Sequence, residues 1–222
     1  MDSADIDNDL AAVRRGGRPS RQESEQKRGL IIDVATALFF EQGYGATSVD
    51  AIAQRAGISK RTFYARVQDK ADLFGAVIRT IIGRMRPADM TPLFEGRSFE
   101  EILHRLASLA LVAALSPPAL ALQRIIVAES ARFPELAHLA SAEGSKGEAI
   151  AHIMALIERE KSAGRLTLDN AQFGAEQFLQ MVMSVPQRRA MGLGTPMTQE
   201  ELGVWCKNTV NLFLHGCRGW QP

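Results

Sequence analysis

The stretch 49–67, VDAIAQRAGISKRTFYARV, constrains the fold of this chain more than any other, because it reads as two short helices locked at a fixed angle. Val49, Ile52 and Ala53 recur at helical spacing, and Gly57 ends that helix where a left-handed residue is needed. Ser59 then caps a second helix, over about 60–66. It turns Phe63 and Val67 inward and presents Lys60, Arg61, Thr62, Tyr64 and Arg66 outward. The small side chain of Ala53 lets the two helices approach closely. A short helix with Arg, Lys, Thr and Tyr on one face fits a DNA major groove, so the pattern is a helix-turn-helix.

The rest of the chain reads as helix throughout, with no convincing strand pattern and no internal repeat, so the expected class is all-α with about nine helices. A first helix runs over about 24–42 with Leu30, Ile31, Val34, Ala35, Leu38 and Phe39 on one stripe, and Gly43 ends it. Thr47 or Ser48 caps the next, and Thr47 with Asp50 resembles a capping box. A fourth helix starts at Asp69 and stops before Pro87. Further helices are expected from Ser98 to about Leu115, from Pro117 to about Arg132, and from Pro134 to Gly164 with a break at 144–147. Asp169 caps one to about Arg189 that Pro186 kinks or shortens. Thr198, with Glu201 in a capping box, opens the last, which Gly216 stops.

The net charge of +1 hides an asymmetry: residues 1–13 carry −4, residues 14–86 carry +7 and the remainder −2. A basic block that coincides with the helix-turn-helix points to a DNA-binding head on a separate sensing or assembly module. Three segments are expected: a disordered arm over 1–24, the head over 25–68, and a helical effector-binding and dimerisation body over 69–222. Within the arm, Arg18 and Arg21 belong to a flexible basic run suited to a minor groove, and equally to a solvated tail.

Several function classes find no footing. His104, His138, His152 and His215 are scattered, so no metal site or cofactor is expected, and Gly17, Gly43, Gly45 and Gly57 form no phosphate loop. No nucleophile–base arrangement marks an enzyme. Cys206 and Cys217 make no disulfide framework, no apolar run reaches membrane-spanning length, and the acidic start lacks the order of a signal peptide. A reducing cytoplasm, without membrane contact, is therefore the expected location. Eleven residues apart, those cysteines allow a redox switch, but buried thiols in the dimer helix are the favoured reading.

With these residues in place, the chain resembles the TetR family of transcriptional regulators. The resemblance spans residues 17–85: GRP at 17–19, ALF at 37–39, GY at 43–44, TS at 47–48, IA at 52–53, AGISK at 56–60, TFY at 62–64 and DKADLF at 69–74. Arg66-Val67 replaces the common His-Phe, and Ala71 a common Glu. The carboxy-terminal part is similar to the AefR-like branch through AESARFPELA at 128–137 and GRL at 164–166.

The resemblance implies a homodimer that binds double-stranded DNA at a near-palindromic operator and is released by a small, mainly apolar molecule, most often as a repressor. It places Lys60, Arg61, Thr62 and Tyr64 on the DNA. Arg61 suits a guanine edge, while Lys60, Tyr64, Arg66, Thr47, Ser48 and Lys70 suit phosphates. Phe74, Ile78, Leu111, Ile125, Met154, Phe178, Met181 and Met183 are candidates to line the effector pocket, each also an ordinary core residue; Arg124, Glu129 and Arg132 are candidates to place a charge there, and Glu129 with Arg132 equally makes a helix-surface pair. Phe173, Met183, Trp205, Val210 and Phe213 are candidates for a four-helix dimer contact or for a monomer core. The expected mechanism is a shift of the fourth helix that moves the two heads out of groove register. The competing reading is a ligand-independent architectural DNA-binding protein.

Overall fold

The computed structural model describes residues 21–87, 89 and 98–216. Arg18, the greater part of the expected arm, and Cys217 lie outside the described residues. Among the described residues there are ten helices and no strands. They are α1 (Arg21–Ala46), α2 (Val49–Arg55), α3 (Lys60–Tyr64), α4 (Lys70–Met85), α5 (Phe99–Ala114), α6 (Pro117–Glu129), α7 (Glu135–Glu143), α8 (Lys146–Ser162), α9 (Ala171–Ala190) and α10 (Gln199–His215). The tenth arises because the interruption expected at 144–147 separates α7 from α8, with Gly144 extended at φ −70 and ψ 150.

Local chemistry sets most helix ends. Ser98 and Thr198 both form reciprocal capping boxes with Glu101 and Glu201, and Asp69 caps α4 through Asp72 N–H at 2.8 Å. Four expected boundaries move, and the choice between Thr47 and Ser48 is decided. The first helix begins at Arg21, where Arg21 pairs with Glu25, so the arm is shorter than residues 1–24. Ser48, not Thr47, is the N-cap of α2, and Asn170, not Asp169, that of α9. The second helix of the motif ends at Tyr64 rather than Arg66, and α6 ends at Glu129 rather than Arg132. Pro186 does not shorten α9, which runs on to Ala190 with that ring buried.

Two apolar cores organise the helices. The first joins α1–α4 with α6 and α7 around Ile31, Phe39, Tyr44, Ile52, Phe63, Phe74 and Leu136. Phe39, Tyr44 and Phe74 meet with centroids 5.3–5.6 Å apart, and the Tyr44 ring meets Phe133 edge-on at 5.1 Å. The second joins α5, α8, α9 and α10 around Leu103, Ile153, Ile157, Phe178, Val182 and Val210. Apolar contact therefore runs unbroken across the expected boundary at residue 69.

Candidate nucleic-acid interface

The motif is built by caps and one left-handed glycine. Ser48 Oγ accepts from Ala51 N–H at 3.1 Å and starts α2. Gly57, at φ 64, turns the chain, and Ile58 N–H returns to the Ala53 carbonyl at 3.0 Å. Ser59 Oγ then accepts from Thr62 N–H at 3.1 Å and starts α3. Phe63 and Val67 are buried beneath α3, while Arg61 and Tyr64 stand on its outer side, Tyr64 being 56% exposed.

The candidate contact residues divide into two groups. Arg61 is exposed and makes no ion pair among the described residues. Lys60 Nζ lies 2.7 Å from Asp50 Oδ1, both exposed, and this pairing raises the lysine pKa. Ser48 and Tyr64 are also outward. Thr62 is half-buried, its hydroxyl 2.9 Å from Ser59 Oγ.

The second group is turned inward. Thr47 is buried, donating to the Gly43 carbonyl at 2.7 Å and accepting from Gln42 Nε2 at 3.2 Å, so it shapes the approach to α2 instead of offering a hydroxyl outward. Lys70 Nζ donates to the Tyr44 and Thr47 carbonyls at 2.9 and 3.0 Å and sits 4.2 Å from the Tyr44 ring centre. Its burial lowers its pKa, and the expected phosphate role gives way to an internal one. Arg66 Nη1 donates to the Thr62 carbonyl at 3.0 Å at the end of α3, and its buried Nε has no partner among the described residues.

The Tyr44–Thr47 segment, the elbow, leads from the last turn of α1, beyond its break at Gly43, towards α2 and is held from the body. Glu129, at the end of α6, accepts from Tyr44 N–H at 2.7 Å and Gly45 N–H at 2.5 Å. Burial, and then the nearby carboxylates of Glu135, Asp69 and Glu129, push the Tyr44 hydroxyl pKa up to about 12. Glu129 is neither a cavity charge nor the partner of Arg132, which stacks on Phe133 at 5.2 Å. Sequence spacing holds no sign of a contact spanning 84 and 85 residues.

Behind the head, α4, α5, α6, α8 and α9 line an open cavity of about 460 Å³. Its walls include Ile78, Met85, Leu109, Ile126 and Met183, with Gln123, Gln180 and Gln187 among the polar lining. Of the candidate pocket residues, Ile78 and Met183 line it. Phe74 and Ile125 are buried in the first core and Phe178 in the second, Leu111 lines a smaller cleft beside Cys206, Met154 is exposed, and Met181 is not on its wall. Arg124 is also off the wall, donating to the Ala190 carbonyl at 3.2 Å. The missed apolar wall residues are ordinary helix-spaced positions, which spacing cannot tell from core.

The dimer candidates divide as well. Phe173 is 57% exposed, as are Val204 at 55% and Leu212 at 44%. Val210 is buried within the protomer, while Trp205 and Phe213 are half-buried against the second core, Trp205 Nε1 donating to the Val182 carbonyl at 2.9 Å and Phe213 packing on Phe178 at 5.0 Å. Cys206 is buried and its thiol pKa is pushed up, which suits a core thiol rather than a redox switch. Among the described residues no three His, Cys, Asp or Glu side chains are placed to hold a metal, and no single helix is long and apolar enough to cross a membrane.

Comparison with known proteins agrees with this geometry. Residues 31–77 match the family described as bacterial regulatory proteins, tetR family, and residues 101–216 match the AefR-like transcriptional repressor, C-terminal domain. Over 60 residues the chain is 40% identical to the HTH-type transcriptional regulator AcrR of Shigella flexneri, covering 27% of this chain and 28% of AcrR. Over 66 residues it is 39% identical to the HTH-type transcriptional activator FasR of Mycolicibacterium smegmatis, covering 30% of this chain and 29% of FasR. The aligned part is thus under a third of either relative. Among solved structures, the Flavonoid-responsive Regulator FrrA is 32% identical with a TM-score of 0.71, over 89% of this chain and all of FrrA. A TetR-family regulator from Mesorhizobium loti is 28% identical, also at 0.71, over 86% of this chain and 96% of that one. The chain belongs to the tetR family of bacterial regulatory proteins, and its C-terminal part is of the AefR-like kind.

Proposed function

We propose that this DNA-binding transcriptional regulator is a ligand-responsive repressor: a cytoplasmic dimer that grips a near-palindromic operator and lets go when a small, mainly apolar molecule fills the cavity. The observation that carries this reading is the joint presence of an outward α3 face and a chamber of about 460 Å³ whose walls belong to α4 and α6. Residues 25–68 act as the reading unit, with Arg61 engaging guanine O6 and N7 while Lys60, Tyr64 and Ser48 hold phosphates. Exposed Phe173, Val204 and Leu212 on α9 and α10 support a two-fold helical contact between copies. The likeness to an AefR-like repressor domain supports the sign of regulation, and the likeness to flavonoid-responsive FrrA makes hydroxylated aromatic compounds the first effectors to try.

The test is binding of the full chain to genomic fragments against random duplex at moderate ionic strength, with sedimentation of the complex. Preference for a short palindrome, bound by two copies, is expected. Equal affinity for every duplex with a steep salt dependence would instead favour the architectural reading. A DNA-competent monomer would remove the dimer. Titration with a flavonoid should then lower operator affinity without unfolding the protein.

A further inference from the structure

The elbow between α1 and α2 sends its backbone polar groups to opposite partners. Gly43, at φ 85 and ψ 170, breaks α1, so the N–H groups of Tyr44 and Gly45 start a new turn with no carbonyl of the preceding helix to receive them. Both are taken by one carboxylate, Glu129, from the last residue of α6. The carbonyls of Tyr44 and Thr47 are taken by one ammonium, Lys70, from the first residue of α4. The carboxylate fits closely. A Cβ added to Gly43 would lie 2.5 Å from Glu129 Oε1; one added to Gly45 would lie 2.8 Å from Oε2 and 2.9 Å from the Phe133 ring. Glycine at both positions is what admits the carboxylate.

The helix that carries this carboxylate is also a cavity wall. Ala119, Leu122, Gln123 and Ile126 of α6 face the chamber. Ile126 precedes Glu129 by less than one helical turn, a rise of about 4.5 Å. An occupant that pushes on Ile126 therefore displaces the Glu129 oxygens with it. Two bonds converge on one group, so a slide of about 1 Å lengthens both beyond hydrogen-bonding range.

We infer that Glu129 is a positioning residue for DNA reading: its carboxylate fixes the elbow that aims α2 and α3, and it transmits displacement of α6 from the cavity to them. This rests on the regulator reading proposed above. It adds a route through α6 to the expected shift of α4, and the two routes meet at Tyr44.

A double-mutant cycle tests it without an identified effector. Ala110 of α5 lines the cavity, so Ala110→Trp fills the chamber from within. The probe is the duplex that the wild-type full chain selects from a random pool. Ala110→Trp and Glu129→Gln should each weaken binding about tenfold, and the double variant should lie within about twofold of Glu129→Gln alone. Multiplying losses would show that Glu129 merely supports the head, and would overturn the inference. Hydrogen exchange gives a readout independent of DNA: Ala110→Trp should speed exchange of the Tyr44 and Gly45 amides at least about tenfold while α4 stays protected. Unchanged exchange at those two amides overturns the inference even where DNA binding falls. If wild type selects no duplex, the regulator reading fails, and the exchange result still decides the role of Glu129. Should Glu129→Gln lose cooperative melting, Glu129→Asp, which keeps the charge and shortens the reach, replaces it in the cycle with the same expected outcomes.

Discussion

Around Phe63 the helices close completely, whereas around Met183 they leave about 460 Å³ open. In the head the short helices α2 and α3 pack on α1, Ser48, Ser59 and Asp69 cap the starts of α2, α3 and α4, and the interior is filled by interlocking aromatic rings. The body's helices meet along parts of their length and part around the cavity. A surface that reads base edges must hold its geometry within a fraction of an ångström, and dense packing provides that. A helix that borders empty space has neighbours on one side only and moves at lower cost. The two regions thus divide rigidity and compliance between them, and the elbow at Tyr44 is one place where they touch.

The sharpest way to break this comparison is to cut one buried side chain from each region. Phe63→Ala removes a fully buried ring from the head and should cost ~3–5 kcal/mol of unfolding free energy in urea. Leu109→Ala, at a half-buried position that already borders the cavity, should cost about 1 kcal/mol. Equal losses would mean that the body is packed as tightly as the head and that the compliance argued for α6 does not exist.

Arg61 separates reading from folding within the head. Its side chain is exposed and without an ion pair among the described residues, so Arg61→Ala should change stability by less than about 0.5 kcal/mol. On the selected duplex the same change should cost ~1–3 kcal/mol and relax preference at one base pair, measured by competition against single-base variants. Lys60→Ala should weaken all duplexes alike and lower the salt slope by about one, less the small cost of releasing Lys60 from Asp50 in the free protein. If Arg61→Ala left affinity and preference untouched, the base-reading role would pass elsewhere on α3.

The head is legible in the sequence because its signals are local. Ser59 before Lys60, Gly57 after Arg55 and Phe63 beneath Tyr64 are relations within a few residues, and each survives folding as written. The inward turn of Lys70 and Thr47 is not legible, since their partners are backbone carbonyls brought close only when α1 bends at Gly43. Spacing alone offers Glu129 as a charge for the cavity or a helix-surface partner of Arg132, because nothing near it in the chain shows that two amides 84 and 85 residues earlier would face it. The cavity escapes for a related reason. Ile78 and Phe74 lie one turn apart on α4 and have the same apolar character, yet one borders the chamber and the other the ring cluster. Only the placement of α5 and α9 decides between them.

Within the body, one charged site is built as firmly as anything in the head, and it sharpens where the compliance lies. Glu160 of α8 is buried, accepting from Arg165 Nε at 2.7 Å and from Arg159 Nε at 3.2 Å. Arg165 first, and then Arg159, hold its carboxyl below the usual value against the opposing effect of burial. A carboxyl lowered in the folded state stabilises the protein above its ordinary pKa, and that contribution is lost as pH falls through the lowered value. Glu160→Gln should therefore cost about 1–2 kcal/mol at neutral pH, and the gap from wild type should close as pH falls through that lowered value. A gap that stayed constant down to acid pH would show that the carboxylate charge contributes nothing there. The end of α8 would then be as compliant as the cavity wall.

The smallest effect concerns two glycines that differ in surroundings and not in residue type. Gly57, at φ 64 in the motif's turn, has nothing within 4 Å of where a Cβ would stand, so Gly57→Ala meets only the backbone cost of the left-handed region, about 1 kcal/mol. For a domain of this size that corresponds to a fall of roughly 2–4 °C in melting temperature, with α3 still presented as before. Gly45→Ala instead drives a methyl into Glu129 and the Phe133 ring, both anchored in the body, so it should lower operator affinity out of proportion to its melting shift. Plotting affinity loss against melting shift for the two substitutions isolates the elbow from the turn. Points falling on one line would mean that the contact with α6 has no influence on how α3 is aimed beyond its share of stability.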